Sequence, residues 1–289
     1  MHFFFISILL TLLIGCDHAS HGESPMPPST MRIKVGEPGV QFLQRNHLDS
    51  RGNVDRQPAG LNFHKHRWGT TNPGTVYVEH GAHSFEIPYA VSITGTEDVE
   101  KLEEGISDFS VNALISLNRP TPHDEARIAF INLLHTLAQA GWKPFIYYDD
   151  PRLSGEQAFR YHQEEDPRGA IPVNYDPTLE EWMRLGSGPW MFYAGDLFLD
   201  INVRRNSERM VVDEPGNYLL SFSLYGKEEQ GRSHFESEKR DQWQKHWIEM
   251  IKKLKKDRYA IEEKLIRKGY TIDTGYVEPI IHPADPVEP

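Results

Sequence analysis

The densest group of possible metal ligands in this sequence is a set of four histidines, His64, His66, His80 and His83. On a strand the first two would point to one face, and the other two could approach them across a hairpin. Imidazole nitrogens suit Zn²⁺. However, basic residues flank the group, and Glu79 is the only nearby carboxylate. The pattern favours surface histidines, so we expect no metal or other cofactor. A metal-dependent periplasmic hydrolase remains an alternative.

Carboxylates give no clearer sign of catalysis. In DLFLDINVRR, Asp196 and Asp200 share one face of a predicted strand, about 13 Å apart at about 3.3 Å per residue. Glycosidase carboxyl pairs lie closer together than this. We therefore expect these two side chains on the wet face of an antiparallel sheet. Nucleophile-elbow, Walker, dinucleotide-binding and HExxH motifs are all absent from the sequence, and we predict that the chain is not an enzyme.

Aromatic residues crowd the middle of the chain, among Pro, Gly and acidic residues. Those that could anchor a protein partner are Tyr148, Tyr161, Tyr175, Trp182 and Trp190. Aromatic side chains in loops often carry most of the binding energy of an interface. The alternative is that they fasten irregular loops to the core.

The only cysteine, Cys16, follows an uncharged apolar run, Phe3 to Gly15. The run is short for a membrane span, which needs about 20 residues, and suits a signal peptide. Leu13-Ile14-Gly15-Cys16 resembles a bacterial lipobox. The resemblance implies cleavage before Cys16 and lipid attached to it, which anchors the chain to membrane lipid. A plain signal peptide with a chance cysteine is the alternative.

The residues after the cysteine predict a location. Asp17 resembles the sorting signal that retains Gram-negative lipoproteins at the inner membrane. Residues 16–30, rich in Ser, Pro, Gly and His, predict a flexible tether. We therefore expect the signal peptide at 1–15 and a lipid-anchored protein on the periplasmic face of the inner membrane.

Charge limits the possible partners. The formal net charge is −11, which argues against nucleic acid, because binding to phosphates needs Lys and Arg. An acidic chain suits either simple solubility or a partner with a basic surface.

Hydrophobic periodicity predicts an α+β fold with antiparallel sheets packed by a mid-chain helix and a long C-terminal helix. The mid-chain helix runs from about 121 to 140, and the second from about 235 to 268.

A strand, a helix, a Gly and another strand occur in this order twice, with strands expected at 111–118 and 142–148 and again at 218–225 and 270–272. We expect two α+β units, 31–148 and 149–289. A duplication would make them similar, and the alternative is that such series look alike because Gly commonly ends helices. Residues 149–188, with several Pro and Gly, are expected to be the least regular stretch.

The layout of signal, tether and soluble α+β domain resembles immunity lipoproteins that protect bacteria from type VI secretion effectors. The resemblance implies a protein partner, a toxin such as a phospholipase, which the chain would inhibit. No motif of the mature domain carries this resemblance. A structural or assembly lipoprotein of the envelope is a further alternative.

Overall fold

A computed structural model describes residues 29–167 and 170–285. In these residues the strands are β1 (Thr30–Ile33), β2 (Val54–Arg56), β3 (Leu61–Arg67), β4 (Gly74–Val78), β5 (Phe85–Asp98), β6 (Ile106–Leu114), β7 (Lys143–Pro144), β8 (Trp190–Ala194), β9 (Leu197–Arg205) and β10 (Tyr218–Gly226). The helices are α1 (Gly39–Arg45), α2 (Ser50–Asn53), α3 (His123–Gln139), α4 (Gly155–Glu164), α5 (Leu179–Arg184), α6 (Lys227–Ser233), α7 (Ser237–Arg240) and α8 (Trp243–Arg267).

All ten strands belong to one sheet, and its main path runs β1-β4-β5-β6-β10-β9-β8-β7. The central pair, β6 and β10, is antiparallel over seven residue pairs, from Leu114↔Leu219 to Asp108↔Tyr225. β1 and β4 are parallel, and the other pairs are antiparallel. With α3 and α8 packed on this sheet, the fold is α+β, as predicted.

The strand order is symmetric about the central pair. The meander β4-β5-β6 lies on one side and the meander β8-β9-β10 on the other. The helix after each meander ends in the same way, because Gly141 and Gly269 both have a positive φ. Each lets the next residue's N–H reach back to a helix carbonyl, from Trp142 to Leu137 and from Tyr270 to Leu265.

The two predicted units share this sheet and a hydrophobic core that contains residues of both. β7 lies before residue 148 in the chain, yet it pairs with β8 of the second meander. The first half of the chain therefore crosses to the far edge of the sheet before the second half begins.

Two predicted strands are shorter or missing. The strand expected at 142–148 is reduced to β7, because Phe145 and Tyr148 both point into one aromatic core cluster, which period-two alternation forbids. Tyr270 to Ile272 form no strand; Tyr270 packs beside Leu265 instead.

Two helix predictions also differ from the structure. α4 lies in a stretch for which the sequence predicts no regular structure. The sequence does not predict this helix because the helix buries only Phe159 and His162, which is too few residues for a helical hydrophobic pattern. The C-terminal helix α8 begins at Trp243 instead of about residue 235, after the separate short helix α7.

The two faces of the sheet are covered differently. α3 packs on one face through Phe130, Leu134 and Leu137, within the large core. α8 packs on the other face through Trp243, Trp247 and Ile251, but only over β8 and β9. The centre of this second face, on β5, β6 and β10, is therefore not covered by α3 or α8, and α6 borders only one end of it.

A side chain closes the outer edge of β1. The Asn46 amide accepts a hydrogen bond from the Arg32 N–H (2.8 Å) and donates one to the Arg32 carbonyl (2.9 Å). Asn46 is buried, and it also donates to the Phe42 carbonyl. It therefore occupies the place that a further strand would take.

The tail after α8 is held to the domain by a buried ion pair. Arg258 is 0% exposed and Lys255 6% exposed, and both contact the carboxylate of Glu278. Arg258 also donates to the Tyr147 carbonyl at 2.6 Å. The Tyr193 hydroxyl donates to the Val277 carbonyl at 2.7 Å, so the tail is fixed at several points.

We expect Glu278→Gln to lower the free energy of unfolding by about 3 kcal/mol, because it leaves the buried charge of Arg258 uncompensated. Urea denaturation measures this. Glu263→Gln, which removes an exposed carboxylate of the same helix-and-tail region, is the matched control and should change stability by less than about 0.5 kcal/mol. Equal effects of the two substitutions would contradict the assignment.

Candidate functional site

Short polar side chains line the uncovered centre of the second sheet face. We call this set the polar face, and it consists of Ser92, Thr94 and Thr96 on β5, Asp108, Ser110 and Asn112 on β6, Ser221, Ser223 and Tyr225 on β10, and Asp200 and Asn202 on β9. The alternate residues of the same strands are buried in the large core. Strict alternation therefore brings this polar set to one surface.

Hydrogen bonds connect the strands along this face. The Asn112 amide donates to Ser92 Oγ at 3.2 Å, and Ser221 Oγ donates to Asn112 Oδ1 at 2.7 Å. These bonds run across β5, β6 and β10. They fix the rotamers of the central side chains, so this part of the polar face is preorganised.

A cavity of about 380 Å³ opens at one end of the polar face. Its floor is formed by β6, β9 and β10, and its walls by Tyr147 and by α6. We call it the acidic cavity, and its polar lining comprises Asp108, Ser110, Tyr147, Asp200, Ser223, Tyr225, Glu229, Gln230 and Ser233. Three carboxylates and two phenols thus converge on one space.

Asp200 is the most perturbed acid of the acidic cavity. The Tyr225 hydroxyl donates to its Oδ2 at 3.1 Å, whereas Oδ1 is buried and has no hydrogen-bond partner. Burial raises the pKa of Asp200 to about 6, and the Tyr225 hydrogen bond opposes this rise. Burial, and next the charge of Asp200, raise the pKa of Tyr147 to about 12.

Asp108 and Glu229 complete the negative charge of the cavity. Asp108 accepts hydrogen bonds from Thr96 and Ser107, both at 3.1 Å, and burial raises its pKa. Glu229 pairs with Arg240. From the strand register, the Cα atoms of Asp108 and Asp200 are about 12 Å apart, so they do not share a proton.

Three of the five aromatic residues predicted to bind a partner lie in the core. Tyr148, Trp182 and Trp190 are each at most 2% exposed. Trp182 packs 5.6 Å from the Phe130 ring and beneath the Arg205 guanidinium, and Trp190 packs 4.5 Å from Phe130. Such buried rings offer no surface to a partner in this structure; Trp190 of β8 and Trp182 of α5 pack against α3 instead.

The other two, Tyr161 and Tyr175, are half-buried. Tyr175 stacks on Phe159 at 4.5 Å and donates to Glu181. Tyr161 borders a mostly apolar cavity of about 80 Å³ next to Asp150, whose pKa is raised to about 7 by burial and then by the charge of Asp149. This second cavity has room for only a handful of water molecules.

Each of the four histidines makes a hydrogen-bond contact with a residue distant from it in sequence. His64 Nε2 lies 3.0 Å from the Glu97 carboxylate, and His66 Nδ1 lies 3.4 Å from Asn53 Oδ1. The rings of His80 and His83 contact the backbone carbonyls of Ala194 and Ala140. In the described ranges no three His, Cys, Asp or Glu side chains are placed to hold a metal ion. The histidines thus give no support to the hydrolase alternative.

Cys16 and Asp17 lie outside the described residues, so the predicted lipidation and sorting sites stay predictions. Among the helices of 29–167 and 170–285, none has both the length and the apolar character needed to cross a membrane.

Comparison with known proteins adds no relative: no family model, curated protein or solved structure matches this chain. The candidate site therefore rests on the geometry of the chain itself.

Sequence reasoning found part of the acidic cavity and missed the rest. It placed Asp200 on the sheet face opposite the large core, where the structure has it, but the expectation that this side chain is solvated is wrong, because its Oδ1 is buried. Asp196 lies in the turn between β8 and β9. Asp108 and Tyr225 were not singled out. A usable signal was present, because the polar positions of β5, β6 and β10 carry mainly Ser, Thr and Asn instead of long charged side chains.

We expect the stability of the protein to depend on the ionisation of Asp200. Its pKa is about 6 when folded and about 3.8 when unfolded, so the folded state holds the proton more tightly. Stability then falls as pH rises from about 4 to about 6, by up to about 3 kcal/mol. Asp200→Asn should remove this fall. The free energy of unfolding of the variant, relative to that of wild type, should therefore be higher at pH 7.5 than at pH 4.

Urea denaturation at both pH values measures the difference. Asp213→Asn changes an exposed aspartate outside the cavity and should behave like wild type. If Asp200→Asn changes stability equally at both pH values, the carboxylate is not held in an unfavourable environment.

Proposed function

We propose that this protein acts by binding another protein and has no catalytic activity of its own. The observation that supports this best is the polar face, a hydrogen-bonded surface that is not covered by α3, which packs on the opposite face, or by α8, which packs over β8 and β9. A typical protein interface contains about ten direct hydrogen bonds, and the hydroxyl and amide groups of this face provide donors and acceptors for such bonds.

The positions of the carboxylates also favour binding over hydrolysis. Asp108 and Asp200 lie on strands that are separated by β10, with their Cα atoms about 12 Å apart. Each of the two is held by hydroxyl groups from its own strand or the adjacent one, and neither touches a serine–histidine or cysteine–histidine arrangement.

We propose further that the chain is anchored through lipid on Cys16 at the periplasmic face of the inner membrane, and that it inhibits a toxin delivered into the periplasm. The lipobox-like sequence Leu13 to Cys16, the Asp17 signal and the tether support the location. The acidic character of the domain supports a partner with a basic surface.

The anchor is tested by Cys16→Ser, which removes the acyl attachment point. Because each buried CH₂ contributes about 0.8 kcal/mol to membrane binding, we expect the variant to leave the membrane fraction or to keep its uncleaved signal. Ser20→Ala, in the tether, is the control and should remain with the membrane. A cleaved Cys16→Ser chain that still sediments with membranes would exclude this anchor.

The inhibitory role is tested by competition. A strain lacking the gene is mixed with its parent on a solid surface, where contact-dependent toxins are delivered. We expect the deletion strain to lose the competition and to recover when the full chain is restored. Equal survival of both strains, with toxin delivery verified by an independently sensitive strain, would refute the immunity role.

A further inference from the structure

The acidic cavity contains two carboxylates, Asp108 and Asp200, that have no basic side chain next to them in the described part of the chain. Among the described residues no Lys, Arg or His lies within ion-pair distance of Asp108 or Asp200. The buried carboxylates of Glu37, Glu262 and Glu97, by contrast, contact Arg45, Arg152 and His64. Within 29–167 and 170–285, Asp108 and Asp200 share the lack of a basic partner with Asp150 of the second cavity, and burial of a carboxylate without such a partner is unfavourable.

Hydrogen-bond acceptors dominate the inner wall. Asp200 Oδ1 is buried and unpartnered. Gln230, only 1% exposed, lines the same cavity, and its amide nitrogen contacts His234. A group that fills this space well must therefore bring several donors and a positive charge.

The aromatic walls suit the same kind of group. Tyr225 stacks on Phe198 with their planes 11° apart, which holds its ring in place beside Asp200. Tyr147 also lines the cavity, and its backbone carbonyl accepts a hydrogen bond from Arg258. A planar cation is attracted to the faces of tyrosine rings, and a guanidinium offers five donors in a fixed fork.

We infer that the acidic cavity receives an arginine side chain presented by the partner protein, with Asp200 Oδ1 as its main acceptor and Asp108 as the second carboxylate without a basic partner among the described residues. Glu229, by contrast, is already paired with Arg240. The polar face beside the cavity would then contact the segment that carries this arginine. This inference rests on the proposed protein-binding function and names the chemistry by which the partner is recognised.

The test uses the full chain in a mild detergent, with its tyrosines replaced by 3-fluorotyrosine for ¹⁹F NMR. Tyr147→Phe and Tyr225→Phe assign the two cavity resonances. The ligand titrated is N-acetyl-arginine methylamide. N-acetyl-citrulline methylamide, which has nearly the same shape and no charge, and spermidine, a flexible cation, are titrated in parallel.

We expect the arginine compound to shift the Tyr147 and Tyr225 resonances saturably, and the citrulline compound to leave them unchanged. Asp200→Asn should weaken this binding at least about tenfold, as expected for losing one charge-assisted hydrogen bond. Asp213→Asn, an equal charge change outside the cavity, should bind like wild type. Unchanged resonances of the other tyrosines establish that Asp200→Asn is folded.

Equal shifts with citrulline, shifts with spermidine alone, or undiminished binding by Asp200→Asn would each overturn the inference. The competition assay separates it from the proposed function. If the gene protects and Asp200→Asn protects fully, the protein binds its toxin without an arginine in the cavity. If deletion of the gene has no effect, the immunity role fails, whereas the NMR titration still decides which group the cavity binds.

Discussion

The pairing of β6 with β10 is the interaction on which the rest of the structure depends. It joins two meanders that are otherwise separate along the chain, and its seven antiparallel residue pairs fix their register. A shift of one residue would turn Asp108 and Ser110 into the core and Phe109 and Val111 out to solvent. The acidic cavity exists only in the observed register, because its floor takes Asp108 from one meander and Asp200 from the other.

The two faces of the sheet divide structural and binding roles between them. The face under α3 buries a continuous aliphatic and aromatic core, which supplies most of the hydrophobic stabilisation. The opposite face is packed only at the β8 and β9 end, where α8 and the tail fixed by Arg258 lie. The ionised Asp200 lowers the stability of the folded protein. Buried carboxylates that destabilise the fold in this way are typical of functional sites.

Local patterns in the sequence predict those elements whose periodicity is unbroken. α3, β9 and β10 lie close to their expected bounds, and Gly141 and Gly269 mark the helix ends correctly. Prediction fails where long-range packing decides, as at Phe145 and Tyr148, which leave strand geometry to enter an aromatic cluster. Aromatic composition alone could not distinguish a buried Trp182 from an exposed anchor. The cavity could not be predicted from the sequence for the same reason, because no local pattern shows which strands become neighbours in the sheet.

The Asn46 amide bonds both backbone groups of Arg32. This matters for association between copies of the chain when many copies are close together on one surface. Proteins confined to a membrane meet one another far more often than proteins in free solution, and an open strand edge would invite them to join into extended sheets. At one end of the sheet Asn46 already fills the place of the next strand, and at the other end β7 has two residues, one of them Pro144 without an N–H. Within the described residues, neither end of the main strand path therefore offers a free edge to which a strand of another copy could pair.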